Sequence, residues 1–153
     1  VLLINTLAWA QESVSAKAMS MLADKAIVSR LTYMDQDILN LILLGKVKFI
    51  DAKYNTQFSL NYELKKSFVC PINDETVLIH YVGPTKPWHY WAGYPSAQPF
   101  IKAKEASPWK NEPLMRPVNS NYARYCAKHN FKQNKPINGI MNYIYYFYLK
   151  IIK

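Results

Sequence analysis

The densest run of reactive side chains in this sequence is His80-Tyr81-Val82-Gly83-Pro84-Thr85-Lys86-Pro87-Trp88-His89. A neutral imidazole at the end of an apolar run can ligate a divalent cation. Lys86 carries a mobile point charge suited to phosphate, and Gly83 lets backbone approach that phosphate without interference from a Cβ. These residue types fit a metal–diphosphate site, although composition alone favours a surface turn holding a satisfied histidine. A second cluster is Asp35-Gln36-Asp37. Carboxylates in a first helical turn complement the helix dipole, while an Asp-x-Asp also offers hard oxygen ligands to a divalent metal. The chain has no nucleophile elbow, no glycine-rich phosphate loop and no cysteine–histidine pair at catalytic spacing.

Positioning these clusters requires strands alternating with helices. The apolar run Val1–Asn5 predicts a strand covered on both faces. Residues 9–30 read as a helix whose stripe is Val14, Ala18, Met21, Leu22 and Ile27. Thr32 followed by Asp35 resembles a capping box opening a second helix through Leu44, with Gly45 as its stop. Val47–Asp51 and Thr76–His80 predict two further strands, with residues 52–66 as loop. His80 then closes an apolar strand at its C-terminal end, where α/β sheets place ligands. Seven of nine prolines and three of four tryptophans fall within residues 83–117, which predicts irregular structure there. Residues 121–130 and 137–152 read as helices. Together these features predict part of an α/β layer with a C-terminal helical appendage, and three strands leave that layer incomplete.

Charge divides the 153 residues sharply. Eight basic and eight acidic side chains balance up to Thr85, and the net charge of +9 comes entirely from Lys86 onward, where eleven basic residues face Glu105 and Glu112. A uniformly basic nucleic-acid coat is excluded by that pattern. Cys70 and Cys126 have neither metal-ligand spacing nor a scaffold's numbers, so two unpaired thiols are expected.

VLLIN at 1–5, MDQDILN at 34–40 and HYVGPTKPWH at 80–89, in that order, resemble the second half of a family 8 retaining glycosyltransferase. Within that family the likeness is to the bacterial lipopolysaccharide core glucosyl- and galactosyltransferases, above all the 1,2-glucosyltransferases. The resemblance implies the C-terminal part of a GT-A type nucleotide-sugar transferase fold over residues 1–100, followed by a basic, tyrosine-rich helical region over 101–153. It implies a UDP-sugar donor, Mn2+ or Mg2+, and transfer of glucose or galactose to the lipopolysaccharide outer core. By position, His80 resembles a protein ligand of the metal, and Gly83 and Lys86 resemble the diphosphate contacts. Asp35 and Gln36 resemble the catalytic pair, Asp35 at the donor hydroxyls and Gln36 near the reacting face of the anomeric carbon. The family's main Asp-x-Asp metal motif is not in this chain, so the isolated 153 residues are expected to be a catalytically silent portion.

The tail invites a separate expectation. Seven basic residues and no acidic ones lie between Pro113 and Lys153, interleaved with six tyrosines. Residues 137–153 would form a helix of about 26 Å at ~1.5 Å per residue, short of the ~30 Å hydrocarbon core. An interfacial helix fits better. Lys128, Lys132, Lys135, Lys150 and Lys153 would face anionic lipid, with Tyr143, Tyr145 and Tyr146 at headgroup depth. The competing readings are a terminal helix packed on its own domain and a single-stranded nucleic-acid groove, the latter disfavoured by an aliphatic stripe. The family resemblance implies attachment at the cytoplasmic face of the inner membrane. A non-catalytic membrane-binding module is the alternative to the enzyme.

Overall fold

The computed structural model describes residues 2–152; the chain divides into two compact units, Val1–Ile50 and Asp51–Lys153. The boundary that the resemblance implies after residue 100 falls within the second unit.

The first unit is helical: α1 (Thr6–Gln11), α2 (Val14–Ala23), α3 (Lys25–Val28) and α4 (Met34–Ile42). The single helix expected over residues 9–30 is thus three helices. Asn5 caps α1 by accepting the Ala8 amide at 3.1 Å. Ser13, at φ +52°, breaks the path between α1 and α2. Asp24 ends α2 in extended backbone and caps α3, accepting the Ala26 amide at 2.8 Å. Short polar side chains that bond their own backbone stop helices at these positions. The α4 cap also differs from expectation. Asp37, not Asp35, reaches back, and its Oδ2 accepts the amides of Thr32 and Tyr33 at 2.8 Å each. Gly45 takes a left-handed φ of +73° just beyond α4, as its expected stop requires.

Two expected strands do not form. Val1 lies outside the described residues, and residues 2–5 and 47–50 are irregular, with Leu3 89% and Phe49 94% exposed. An apolar run becomes a strand only beside a chain that completes its hydrogen-bond ladder. The described residues of this unit supply none.

The second unit contains the described residues' only sheet, a parallel pair of β1 (Thr56–Phe58) and β2 (Ile79–Tyr81), with Gln57 opposite His80. The strand expected at 76–80 therefore begins three residues later, and its partner lies in the stretch expected to be loop. Phe58, Leu60, Ala92, Tyr94 and Ala97 form the core, with Ile72 and Tyr81 against it. Helices α5 (Gln98–Glu105), α6 (Ser120–Lys132) and α7 (Pro136–Ile151) follow. The last two match the expected helices to within two residues at each end. They form a helical hairpin across Asn134 (φ +57°), and Gly139 sits so near Phe131 that a Cβ there would meet the ring at 2.6 Å. The result is a mixed, mostly helical arrangement with a small sheet, compatible with part of a GT-A fold.

One buried imidazole joins the pieces of this unit. His129 of α6 is fully buried; its Nδ1 accepts the Tyr94 hydroxyl at 2.7 Å, and its Nε2 lies 3.1 Å from both Asn61 Oδ1 and Thr85 Oγ1. Asn61 Oδ1 only accepts, so Nε2 carries the proton and the ring is neutral. Burial, then the charges of His89 and Lys128, push His129 down to about 4 from the usual 6.5. The unfolded chain consequently takes up a proton below pH 6.5 that the folded chain refuses until about pH 4. Stability is complete above pH 6.5 and drains away as pH falls through that window. The urea midpoint should decline between pH 6.5 and 4 and be flat from 6.5 to 8; a midpoint unchanged down to pH 4 would contradict a neutral His129.

Candidate active site

The loop after β2 gathers three of the residues expected to act. His80, on β2, is exposed, and its Nδ1 lies 3.1 Å from Asn55 Oδ1. Because a carboxamide oxygen only accepts, Nδ1 holds the proton and the Nε2 lone pair is left for a cation. The second strand explains the geometry. Asn55 ends the short 3-10 turn Ala52–Asn55 directly before β1, and the parallel register then brings it beside His80. Sequence reasoning missed Asn55, which lies 25 residues from the imidazole in a stretch that reads as loop. Among the described residues no group of three His, Cys, Asp or Glu side chains converges to hold a metal ion. His80 therefore fits as one ligand, and the described residues form no metal centre by themselves.

Gly83 has a left-handed φ of +83°, and a Cβ there would stand 2.8 Å from Ser59 Oγ. Both the backbone angle and the space demand glycine. Lys86 is half-buried; its Nζ donates to the Tyr81 carbonyl at 2.6 Å, which closes the loop between them. An ammonium has three protons, so two remain for another acceptor. His89 braces the same loop: its Nδ1 accepts the Lys86 amide at 3.2 Å while its ring packs on Trp91 and Tyr122. Burial, with a smaller effect from Lys86, pushes His89 down to about 4. The two histidines of the motif have separate roles. His80 faces solvent with a free lone pair, and His89 is structural.

Asp35 and Gln36 stand in the first turn of α4, on the other unit, and both are exposed. Asp37 satisfies the backbone ahead of the helix, so Asp35 and Gln36 have no capping duty. A carboxylate and a carboxamide, free on one turn, can accept from and donate to sugar hydroxyls.

In the tail, Tyr143 and Tyr146 are half-buried, Tyr143 packing on Phe131, whereas Tyr145 stacks on Tyr148 at the surface. Lys150 lies over the Tyr146 ring, Lys128 over Tyr125, and Lys132 donates to the Lys65 carbonyl. Lys135 donates to Gln133 Oε1, and Lys153 lies outside the described residues. The opposite side of α7 exposes Ile137, Ile140, Ile144, Phe147 and Ile151. No described helix is long and apolar enough to cross a membrane.

Residues 1–92 match the family model described as "Glycosyl transferase family 8", and residues 94–150 match "Glycosyl transferase family 8 C-terminal". The chain belongs to glycosyl transferase family 8. The lipopolysaccharide glucosyltransferase WaaO of Escherichia coli K12 is 54% identical over 98% of the chain and 44% of that protein. The lipopolysaccharide 1,3-galactosyltransferase of Salmonella typhimurium LT2 is 51% identical over 99% of the chain and 45% of that protein. A lipopolysaccharide 1,2-glucosyltransferase of Escherichia coli is 37% identical over 98% of the chain and 45% of that protein. The chain spans less than half the length of these curated relatives. No solved structure matches it.

The left-handed Gly83 against Ser59 makes a sharp test of the loop. Gly83→Ala should destabilise the chain by about 1–2 kcal/mol from backbone strain, and Ser59→Gly in the same chain should recover only the steric part. Urea titration measures both; a neutral Gly83→Ala would mean the loop adopts another conformation.

Proposed function

We propose that the chain is the donor-sugar and diphosphate-binding portion of a retaining hexosyltransferase that moves glucose or galactose from a UDP-sugar onto the lipopolysaccharide outer core. The observation that carries this reading is the exposed His80, held by Asn55 with its Nε2 lone pair unengaged, beside a glycine and a lysine on one loop. The names of the relatives support the substrate class and leave glucose and galactose both open. His80 would be one ligand of Mn2+ or Mg2+. A divalent cation there would supply charge neutralisation for a departing nucleoside diphosphate. Lys86, with two ammonium protons unused by Tyr81, would add its own charge to the phosphate oxygens. Gly83 leaves the backbone bare at the same turn. Asp35 would orient donor hydroxyls. Gln36 is a weakly nucleophilic amide, suited to steadying an oxocarbenium-like transition state as the acceptor hydroxyl attacks from the leaving-group face.

The charge and exposure of the tail support peripheral attachment at the cytoplasmic face of the inner membrane. Aliphatic side chains on one side of α7 would enter the acyl boundary, and Lys128, Lys132, Lys135 and Lys150 would meet anionic headgroups. Attachment raises the effective concentration of a membrane-borne acceptor. The same exposed face favours a second reading, a non-catalytic membrane-binding module with the α/β portion as scaffold.

In a full-length enzyme carrying these residues, His80→Ala should lower transfer from UDP-glucose ~100-fold or more, and Asn55→Ala ~10–100-fold. Losses from His89→Ala should follow the folded fraction. Equal losses from His80→Ala and His89→Ala at equal folded fraction would assign His80 a folding role and sink the reading. The isolated 153 residues should show no transfer; measurable transfer by them would overturn the expectation of a silent portion.

Vesicle sedimentation tests the tail. The chain should pellet with anionic vesicles at ~0.1 M salt, far less with neutral ones, and bind oligonucleotides no better at ~0.1 M than at ~1 M salt. Equal recovery with both vesicle types would remove the lysines' role.

A further inference from the structure

An open surface cavity of about 610 Å3 lies in the second unit, lined by Tyr90, Pro113, Leu114, Arg116, Asn138 and Asn142, of which Tyr90, Pro113, Arg116 and Asn138 are exposed. It shares no residue with the His80 loop. Its volume is within the ~300–1,000 Å3 of small-molecule sites.

Hydrogen bonds fix part of the wall. Met115 pairs with His89 in an isolated bridge: its amide donates to the Trp88 carbonyl at 2.9 Å, and its carbonyl accepts the Tyr90 amide at 3.1 Å. Arg116 therefore leaves a pinned segment. Asn138 and Asn142 are one turn apart on α7 and so share a face. The Asn142 Nδ2 donates to the Asn138 carbonyl at 2.8 Å and to the Tyr90 hydroxyl at 3.3 Å, and that hydroxyl lies 3.0 Å from Cys126 Sγ. These contacts fix the Asn142 amide and the tyrosine ring.

The unspent chemistry defines a ligand. Neither the Arg116 guanidinium, the Asn138 carboxamide nor Asn142 Oδ1 has a partner among the described residues, and the lining contains no carboxylate. An exposed planar fork of donors without such a partner matches a phosphate or carboxylate. Two carboxamides four residues apart supply donors and acceptors for neighbouring hydroxyls. Tyr90, Pro113 and Leu114 add apolar surface for the C–H face of a ring. A bare anion would leave the amides unused, and a neutral sugar would leave the guanidinium unpaired.

We propose that this cavity binds an anionic saccharide, Arg116 taking its phosphate or carboxylate and Asn138 and Asn142 the adjacent hydroxyls. Placing that saccharide in the acceptor glycan rests on the hexosyltransferase reading, whereas the binding itself does not.

The 15N-labelled chain, titrated separately with glucose 6-phosphate, glucose and inorganic phosphate, tests this through the Asn138 and Asn142 side-chain amides and the Arg116 Nε–H. Glucose 6-phosphate should bind saturably and shift all three, with the other two ligands about tenfold weaker or more. Arg116→Gln should weaken the sugar phosphate about tenfold, which is ~1.4 kcal/mol, and Arg116→Lys should recover part of it. Absence of shifts at these residues, unchanged affinity in Arg116→Gln, or inorganic phosphate binding equally well would each overturn the proposal. Phosphatidylglycerol vesicles form the lipid arm; shifts with them and none with glucose 6-phosphate would assign the site to a headgroup and overturn it as well. If Arg116→Gln loses the sugar phosphate while the full-length enzyme carrying these residues transfers neither glucose nor galactose from a UDP-sugar, the transferase reading falls and the cavity stands. The opposite pattern sinks the cavity alone.

Discussion

Everything around the His80 loop hangs on a neutral imidazole one helix away. His129 reaches from α6 to Tyr94, Thr85 and Asn61, three segments that share no strand or helix. Its two nitrogens need one donor and one acceptor, and the fold supplies both in a site from which water is excluded. That requirement is directional, unlike the apolar contacts of Phe58 and Leu60 beside it. Thr85 lies between Gly83 and Lys86, so the bond that satisfies a core histidine also sets the loop carrying the candidate diphosphate contacts.

The loop itself is over-determined. Gly83 is pressed against Ser59, Lys86 closes on the Tyr81 carbonyl, and His89 accepts the Lys86 amide. A further chain of hydrogen bonds fixes the strand end, from the Tyr81 hydroxyl to the Ser96 carbonyl and from the Ser96 hydroxyl to Glu63. Rigid loops of this kind keep a metal ligand or a charge within reach of its target without a cost in ordering at the moment of binding. His80 alone of the motif's two histidines escapes this packing, and that is what makes it available.

α7 serves two surroundings. One side packs on α6, closely enough that Gly139 admits the Phe131 ring, and contributes Asn138 and Asn142 to the cavity wall. The other side offers isoleucines, Phe147 and Tyr148 to solvent. In a soluble helix an apolar stripe faces the core; here apolar residues surround much of it. Four of the eleven basic residues of the second half, Arg124, Lys128, Lys132 and Lys150, lie on α6 and α7, and Lys102 and Lys104 lie on α5.

The order of the three motifs, the cationic tail, the Gly45 stop and the two last helices were all legible in the sequence. Each rests on neighbours within a few residues: a left-handed glycine, an i, i+4 stripe, a local surplus of lysine. Strand pairing was not legible, because a ladder depends on what lies alongside. Residues 2–5 and 47–50 read as strand and are irregular, while Thr56–Phe58 reads as loop and pairs with Ile79–Tyr81. The candidate site divides in the same way. Residue type together with the family resemblance singled out His80, Gly83, Lys86, Asp35 and Gln36 as candidates. Only the tertiary structure separated Asp37 the cap from Asp35 the free carboxylate, and His89 the brace from the exposed His80. It also brought Asn55 and Arg116 into view, since hydrogen bonds and cavities join residues by distance in space, which a sequence does not contain.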